Sequence, residues 1–317
     1  MLPDPSPMPI EVRHLQKRYA GGGGVRDVSM RVARGSVTGL IGVNGAGKST
    51  TLRTIMGLST PSGGEVRLFG EPTSATSRAR VGFLPEERGL APRDRARDVI
   101  AFHGRMKGLP RREAFRAADS LLEKVGLGAR GRSRIESLSK GNAQRVQILC
   151  TLVNRPDLLI LDEPLSGLDP VAQSEILALF AEFRARGGSI LLSTHSMSAV
   201  ENLCDHVVML SAGQTVFEGN PQDAADRAPH GAVIVTSDPT ALAKVAEQLG
   251  GTASPVSTSL GDASRWRILI PASVPHPALL RALSEHAVPI VAFEPIQRNL
   301  EGAFWSLASP PGQTRAA

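Results

Sequence analysis

Aromatic residues and cysteines are scarce in this chain of 317 residues. Phe, Trp and Tyr make up 4% of it, with one tyrosine, Tyr19. The two cysteines, Cys150 and Cys204, lie in separate apolar contexts, which predicts reduced core thiols without a disulfide. No run approaches the roughly 18 consecutive apolar residues of a membrane-spanning helix, and the Pro-rich start is unlike a signal peptide. We therefore expect a globular protein of the cytoplasm.

Positive charge is concentrated in one part of the chain. The net charge is +6, and residues 88–140 hold 14 Lys and Arg against 6 Asp and Glu. The same stretch has only Phe102 and Phe115 on which nucleic acid bases could stack, so no nucleic acid partner is expected. The basic stretch favours either a solvated helical surface or a face near anionic lipid headgroups.

Two domains are predicted. Residues 10–222 alternate buried strands with amphipathic helices, which indicates an α/β domain, and the interval from about 88 to 155 is mostly helical. Residues 231–309 follow the order β-α-β-β-α-β of a small ferredoxin-like α+β domain. Residues 1–9, rich in proline, and the tail 310–317 are expected to be disordered. His276 and His286 are isolated in the sequence, which favours core or surface roles.

A glycine-rich loop follows one of the predicted strands. The segment "GVNGAGKST" at residues 42–50 matches G-x-x-x-x-G-K-[ST] between a strand and a helix, the context that a phosphate-binding loop requires. Its glycines let backbone N–H groups face the phosphates, Lys48 adds a cation and Ser49 offers a hydroxyl to Mg²⁺. The predicted nucleotide contacts are Gly42, Asn44, Gly45, Ala46, Gly47, Lys48, Ser49 and Thr50.

Two later strand ends carry residues suited to nucleotide hydrolysis. Asp162 ends the apolar run "LLILD" and is a candidate Mg²⁺ ligand, and the adjacent Glu163 can accept a proton from an attacking water. His195 ends the strand "LLSTH", where it can contact the γ-phosphate or that water. A lone histidine at a strand end is more often structural, so both roles stay open from the residues alone.

In this order the motifs resemble those of the ATP-binding subunits of ABC transporters. "GVNGAGKST" is similar to Walker A, "LLILDEP" to Walker B with its catalytic glutamate, and "SGLD", ending at Asp169, to the D-loop. His195 matches the switch histidine, and Tyr19 falls where the family stacks an aromatic ring on adenine. "LSKGN" takes the place of the LSGGQ signature, with Ser139 and Gly141 at the positions that contact phosphate. The resemblance covers roughly residues 10–222.

Three positions depart from the family pattern. Lys140 and Asn142 stand where the signature has Gly and Gln, and Glu86 stands where the family has the Q-loop glutamine. A carboxylate can still bind Mg²⁺ or a bound water, so Glu86 is a candidate metal ligand with Ser49 and Asp162, but it donates no hydrogen bond as an amide does. "LPEERGL" and the C-terminal extension resemble an exporter-type subgroup, similar to sodium or drug efflux ATPases.

The resemblance implies a mechanism that two chains share. In the family, two subunits pair head to tail, and the signature helix of each caps the γ-phosphate held by the other. The resemblance implies ATP and Mg²⁺ as cofactors, a second ATPase subunit, most simply a second copy, and a separate integral membrane permease. It also implies a place on the inner face of the cell membrane.

Two other function classes were weighed. A soluble ABC ATPase that acts on nucleic acid or ribosomes usually joins two ATPase cassettes or inserts a coiled coil or a zinc site, whereas this sequence shows one cassette. A P-loop kinase or GTPase has no reason to carry a signature helix and a D-loop, and no N-K-x-D guanine motif is present. The sequence therefore favours the transporter subunit.

Overall fold

The computed structural model describes residues 7–87, 89–256, 265–296 and 298–308. The chain forms two compact units, Met1–Glu218 and Gly219–Ala317. Of the segments predicted to be disordered, residues 1–6 and the tail 310–317 lie outside the described residues. The carbonyl of Pro9 accepts a hydrogen bond from the N–H of Phe69 at 3.0 Å. In these ranges, every helix is too short or too polar to span a bilayer.

A large mixed sheet forms the centre of the first unit. Its strands within the described residues are β1 (Ile10–Arg18), β2 (Gly24–Val32), β3 (Val37–Ile41), β4 (Gly63–Leu68), β5 (Glu71–Pro72), β6 (Val81–Leu84), β7 (Leu158–Asp162), β8 (Ser189–Thr194), β9 (His206–Ser211) and β10 (Gln214–Gly219). The spatial order is β5-β4-β1-β2-β10-β9-β3-β8-β7-β6. β1 pairs antiparallel with β2 and β4, while β3, β6, β7, β8 and β9 make parallel pairs.

The parallel strands place the candidate site. Every residue of β3, β7 and β8 is buried, as the continuous apolar run of β7 predicts for a parallel strand. β8 lies between β3 and β7, with Ile41 opposite Thr194 and Asp162 opposite Ser193. The carboxyl ends of parallel strands meet at one edge of a sheet, where ligands bind in folds of this kind. The glycine-rich loop, which follows β3, therefore begins at the same edge as Asp162 and Glu163, with β8 between them.

Helices surround the sheet of the first unit. They are α1 (Lys48–Ile55), α2 (Ala75–Ala79), α3 (Ala96–Met106), α4 (Arg111–Lys124), α5 (Lys140–Leu152), α6 (Pro170–Ala185) and α7 (Met197–Leu203). α3, α4 and α5 pack against one another within the interval predicted to be helical. α6 begins at Pro170, which is favoured at a first helical position, and ends just before Gly187, whose φ is 87°.

The second unit is a small α+β fold. Its described elements are α8 (Pro221–Ala225), β11 (His230–Thr236), α9 (Pro239–Gln248), β12 (Thr252–Pro255), β13 (Arg265–Ile270), α10 (His276–Glu285), β14 (Ile290–Ile296) and α11 (Leu300–Ala308). The sheet order is β12-β13-β11-β14, with antiparallel pairs throughout. From β11 to β14 the elements follow the predicted β-α-β-β-α-β order. Asn220 caps α8, because its Oδ1 accepts a hydrogen bond from the N–H of Gln222 at 2.7 Å.

Both cysteines are buried and free. Burial raises the pKa of the Cys204 thiol to about 12, and it raises the pKa of the Cys150 thiol as well. Both side chains therefore stay protonated and act as small apolar groups, as predicted. Where the structure describes the chain, no group of three or more His, Cys, Asp and Glu side chains could hold a metal ion.

Candidate nucleotide site

The glycine-rich loop opens onto a cleft at the carboxyl edge of the sheet. The cleft has a volume of about 370 Å³. Most of its lining residues were predicted from the sequence, and the lining comprises Gly23, Gly24, Asn44, Gly45, Gly47, Lys48, Ser49, Thr50, Glu86, Asp162 and Glu163. The structure therefore brings six of the eight predicted loop residues, the two strand-end carboxylates and Glu86 into one space. The other two loop residues, Gly42 and the buried Ala46, do not line the cleft.

Two glycines hold the loop in a curled conformation. Gly45 and Gly47 have φ values of 82° and 103°, in the left-handed region that favours glycine. An added Cβ at Gly45 would meet nothing within 4 Å, so the space beside this glycine is open. Gly42 is required for a different reason, because its Cβ would lie 2.6 Å from the Leu210 carbonyl oxygen and 2.9 Å from Ala46 Cβ.

Lys48 supplies a buried cation at the start of α1. Its amine donates to the carbonyl of Gly42 at 2.7 Å and to that of Val43 at 3.4 Å. The residue is only 8% exposed, and within the described ranges its amine forms no ion pair. A buried charge satisfied only by carbonyl dipoles favours a nearby anion. The loop residues present therefore fit a phosphate group.

Asp162 and Glu163 are positioned by a serine on the neighbouring strand. Asp162 is 3% exposed, and its Oδ1 accepts a hydrogen bond from the Ser193 hydroxyl. The N–H of Glu163 donates to Ser193 Oγ at 3.1 Å and to Ser193 O at 3.2 Å. One residue of β8 thus fixes two consecutive positions at the end of β7.

Glu163 occupies an uncommon backbone conformation and contacts the predicted histidine. Its φ is 50°, which costs free energy in a residue with a side chain. Its Oε1 lies 3.0 Å from His195 Nδ1, and the two side chains are 16% and 69% exposed. A carboxylate and an imidazole at this distance can orient each other and share a proton.

The possible metal ligands in the cleft are all oxygens. Glu86 follows β6, the neighbour of β7, and lines the cleft with Ser49 and Asp162. Hydroxyl and carboxylate oxygens form the donor set that Mg²⁺ prefers, and softer sulfur ligands are absent from this lining. The chemistry of the residues therefore fits Mg²⁺ beside a phosphate.

Tyr19 lies in an adjoining cleft of about 610 Å³. The two clefts share Gly23, Gly24 and Gly45. Hydrogen bonds with the side chains of Ser59 and then Thr50 lower the pKa of the Tyr19 phenol. Since Tyr19 is 43% exposed, its ring keeps accessible surface next to the phosphate loop.

Three predicted contact residues lie away from this cleft. Ser139 caps α5, where its Oγ accepts from the N–H of Asn142 at 3.3 Å, and Asp169 caps α6 through Ala172 N at 2.9 Å. An added Cβ at Gly141 would lie 3.4 Å from the carbonyl oxygen of Gly167, so the start of α5 packs beside the segment before Asp169. Ser139, Gly141 and Asp169 do not line the cleft that holds Lys48.

Sequence reasoning missed two buried residues that support the site. Ser193 is fully buried and bonds to Asp162 and Glu163 as described, and the Gln144 side chain donates to the Pro164 carbonyl at 3.4 Å. The available signals were a polar residue inside the buried strand "SILLST" and an amide on the buried face of α5. Each polar group inside a core needs a partner, and here the partners belong to the site.

Comparison with known proteins gives the family. Residues 25–166 match the ABC transporter family. The chain is 36% identical over 210 residues to the uncharacterized ABC transporter ATP-binding protein YhaQ of Bacillus subtilis, covering 66% of this chain and 70% of that protein. This chain belongs to the ABC transporter family. It is an ABC ATP-binding subunit, as the motifs predicted.

Further similarities agree with this assignment. The Nod factor export ATP-binding protein I of Cupriavidus pinatubonensis is 39% identical over 220 residues, which cover 68% of each chain. A solved structure described as the ATP-binding subunit of an ABC transporter superposes with a TM-score of 0.64 at 35% identity, covering 68% of this chain and 91% of that chain. The cbiO1 protein of Clostridium perfringens, described as part of the ABC transporter complex cbiONQ, gives 0.60 at 30% identity, covering 68% and 90%.

Proposed function

We propose that this ABC subunit hydrolyses ATP and drives a separate membrane permease, most simply as an exporter component. The observation that carries the proposal is one cleft lined by Lys48, Asp162 and Glu163 at the carboxyl edge of the sheet. Membership of the ABC family supports ATP as the nucleotide. The name of the Nod factor export relative supports export for this chain, and the cbiONQ title supports work within a complex.

The residues of the cleft take separate roles in this proposal. The curled loop presents N–H groups to the phosphates, and Lys48 transfers its amine from the Gly42 carbonyl to the β- and γ-phosphates. Mg²⁺ neutralises phosphate charge when it is bound, and Ser49, Glu86 and Asp162 are the residues that would hold it or its waters. Tyr19 stacks on adenine in the adjoining cleft.

Glu163 acts as the general base. Its carboxylate accepts a proton from the attacking water, and His195, 3.0 Å away through Nδ1, orients that carboxylate. Glu163 is mostly buried, so few solvent waters compete with His195 for its carboxylate. The position after the buried Asp162 gives Glu163 a place in the lining of the same cleft as the phosphate loop.

The remaining contacts come from a second copy of the chain. Ser139, Gly141 and Asp169 lie apart from the cleft of their own chain, and the exposed helix start at Ser139 offers backbone N–H groups to an anion. We infer that two chains pair head to tail, so that each Ser139 faces the ATP on its partner. ATP then closes the dimer at the inner face of the membrane, and hydrolysis lets it reopen.

Removing the base separates binding from chemistry. We expect Glu163→Gln to bind ATP while its hydrolysis rate falls by about 10²–10⁴, because an amide cannot accept the proton. Lys48→Ala should instead lose ATP binding, which gives a matched comparison within the same cleft. Phosphate release and binding of a fluorescent ATP analogue measure the two effects. Near-normal turnover of Glu163→Gln would contradict the assigned base.

The permease is tested separately. The membrane protein encoded next to this chain is co-expressed with it, purified in detergent and reconstituted into vesicles. Association of the two proteins, with ATP hydrolysis that the permease stimulates and that Glu163→Gln abolishes, is the expected result. Normal hydrolysis by the isolated chain together with stimulation by ribosomes or nucleic acid, and none by the permease, would favour the soluble ATPase class.

A further inference from the structure

Two loop segments of the first unit join to form a dense group of arginines. Residues 92–97 precede and begin α3, and residues 130–136 lie between α4 and α5. The N–H of Ala96 donates to Ser133 O at 3.0 Å, and the N–H of Ile135 donates to Asp94 O at 2.9 Å. Arg95 and Arg134 form an antiparallel bridge. The backbone therefore holds two arginine-rich segments side by side.

The burial pattern directs the arginines to solvent. Ala96 is 1% exposed and Ile135 is 8% exposed, so these apolar residues pack inward. The arginines that alternate with them or flank them are exposed. We call these five residues, Arg93, Arg95, Arg130, Arg132 and Arg134, the arginine patch.

Most of the arginine patch lacks a partner. Where the structure describes the chain, the side chains of Arg93, Arg95, Arg130 and Arg132 form no hydrogen bond, ion pair or ring contact. Arg134 Nη1 lies 3.5 Å from Glu136 Oε1. Like charges placed opposite each other across a bridge repel, so the Arg95–Arg134 pair costs stability unless an anion lies between them.

Arg97, which lies next to the arginine patch, shows how a guanidinium group is paired in this part of the fold. Arg97 donates to both carboxylate oxygens of Asp119 through Nε at 2.5 Å and Nη2 at 2.6 Å. It also stacks over Phe115, with its Cζ 4.8 Å from the ring centroid. Within the arginine patch, the structure describes only one ion pair, the 3.5 Å contact of Arg134 with Glu136, and that contact is longer than either bond of Arg97 to Asp119.

We propose that the arginine patch binds the phosphate groups of anionic phospholipid headgroups. Guanidinium groups pair with phosphate through two parallel N–H donors, and each cation near an anionic surface strengthens the binding. The patch is an exposed surface of five cations on two adjacent backbone segments, and a membrane surface offers several anionic headgroups to such a group at once. The two segments contain no aromatic residue on which a nucleic acid base could stack.

Binding to vesicles tests the proposal without ATP or a permease, so its failure is distinct from failure of the proposed function. The purified full chain is centrifuged with phosphatidylcholine vesicles that either contain or lack phosphatidylglycerol. We expect sedimentation only with the anionic vesicles and loss of that binding as the salt concentration rises. Equal binding to both vesicle types, or none to either, overturns the proposal.

Two double substitutions, each of which removes two arginine charges, test whether the arginine patch is the surface that binds the vesicles. Arg95→Gln with Arg134→Gln should weaken binding to anionic vesicles by roughly 30-fold. Arg112→Gln with Arg116→Gln removes the same charge from exposed positions on α4 and should change it by less than about threefold. Circular dichroism and ATP hydrolysis check the fold of each variant. If Arg95→Gln with Arg134→Gln misfolds, Arg130→Gln with Arg132→Gln replaces it. Equal losses in patch and control variants would contradict a localised surface.

Two further experiments distinguish a lipid headgroup from inorganic phosphate and from nucleic acid as the ligand of the arginine patch. Inorganic phosphate is compared with chloride at equal ionic strength, and a single-stranded RNA oligonucleotide is titrated by fluorescence anisotropy. Under the proposal, inorganic phosphate releases the chain from the vesicles at most a few-fold better than chloride, because one ion engages one guanidinium whereas a vesicle engages several at once. Any RNA binding is weak and unaffected by the patch substitutions. Full release by inorganic phosphate at a concentration where chloride has no effect would instead identify a soluble phosphate site. Patch-dependent RNA binding tighter than vesicle binding would identify a nucleic acid surface.

Discussion

At the scale of single residues, the candidate site depends on how Glu163 is held. Its positive φ costs on the order of 1–3 kcal/mol, and such conformations persist only where the surroundings fix them. Ser193 provides this support, because its carbonyl and hydroxyl both accept from the N–H of Glu163. The same hydroxyl donates to Asp162. Ser193, which has no chemical role in the proposed reaction, therefore positions Asp162 and Glu163, to which we assign such roles.

Ser193→Ala should slow ATP hydrolysis by about tenfold while the chain stays folded, because Asp162 loses a donor to a charged group and Glu163 loses one acceptor. Ser189→Ala is the matched control. Ser189 lies at the other end of β8, is 1% exposed, and its hydroxyl accepts from the N–H of Gly35 at 2.9 Å. It should cost stability without changing the rate per folded molecule. Phosphate release measures the rates, and equal rates for the two variants would contradict the positioning role.

A second residue-scale feature lies in the small unit, where the sequence alone indicated an isolated His276. In the fold, His276 stacks on His230 with ring centroids 4.9 Å apart and Nδ1 atoms 2.9 Å apart, a contact between residues 46 positions apart in the sequence. His230 Nε2 lies 2.6 Å from the carbonyl oxygen of Val274. Burial, and to a smaller extent Arg298 and His276, lower the pKa of His230.

Acidification should destabilise the small unit. His230 resists protonation in the folded state, whereas in the unfolded chain it takes up a proton below about pH 6.5. Unfolding is therefore favoured as the pH falls below that value towards the lower folded pKa, and this contribution to stability is fully present above it. His230→Gln should reduce the pH dependence, while His286→Gln, at an exposed position, should keep it. Both tryptophans, Trp266 and Trp305, lie in this unit, so tryptophan fluorescence reports its unfolding. Identical pH profiles for wild type and His230→Gln would contradict the account.

At the scale of helices and strands, the sequence predicted the elements with strong periodicity or clear ends. β3, β7 and β8 are buried throughout and mostly apolar, and α6 has both a proline start and a glycine stop. α2 and α8, each five residues long, were not predicted. Elements of this length contain too few turns for a helical period to show. Their caps at Ser74 and Asn220 were the available local signals.

The same contrast holds for the site. Lys48, Asp162 and Glu163 were predicted from motifs because their chemistry depends on local sequence spacing. Ser193 was missed because its contacts cross from β8 to β7, and a strand pairing of this kind is absent from any short segment. The arginine patch was anticipated only as a net charge, since its geometry depends on the pairing of two segments that lie more than 30 residues apart in the chain.

The close packing of the phosphate loop on β9 gives a prediction at this scale. Gly42→Ala would place a methyl group 2.6 Å from the Leu210 carbonyl and should destabilise the first unit by about 1–3 kcal/mol while weakening ATP binding. Gly21→Ala is the control, because its Cβ would meet nothing within 4 Å. Circular dichroism during thermal unfolding and binding of a fluorescent ATP analogue measure both effects. A Gly42→Ala variant as stable as Gly21→Ala would show that this contact relaxes freely.

At the scale of the whole molecule, the candidate site is divided. The cleft contains the loop, the strand-end carboxylates and Glu86, while Ser139, Gly141 and Asp169 lie elsewhere on the first unit. One helix start contributes only about 0.3–2 kcal/mol to a nearby anion. Across the symmetric interface that we propose, two ATP molecules would multiply such contacts, which would let nucleotide binding close the dimer. The central claim is therefore that a working site needs two chains.

Mixing two inactive variants tests this claim most directly. Lys48→Ala removes the cation of the phosphate loop, and Ser139→Ala removes the hydroxyl that caps the start of α5. In a head-to-tail heterodimer, one site carries both lesions, while the other combines the intact loop of the Ser139→Ala chain with the intact Ser139 of the Lys48→Ala chain. Asp238→Ala, which removes a helix cap from α9 in the small unit, controls for cap loss and should keep its activity.

Phosphate release is measured against the mixing ratio of Lys48→Ala and Ser139→Ala, with heterodimers verified by cross-linking. If the chains share their sites, activity rises above both separate baselines and is highest at intermediate ratios, where heterodimers are most abundant. If Ser139 served the ATP of its own chain, every site would carry one lesion and mixing would restore nothing. Cross-linked heterodimers without any gain in hydrolysis would contradict the shared site.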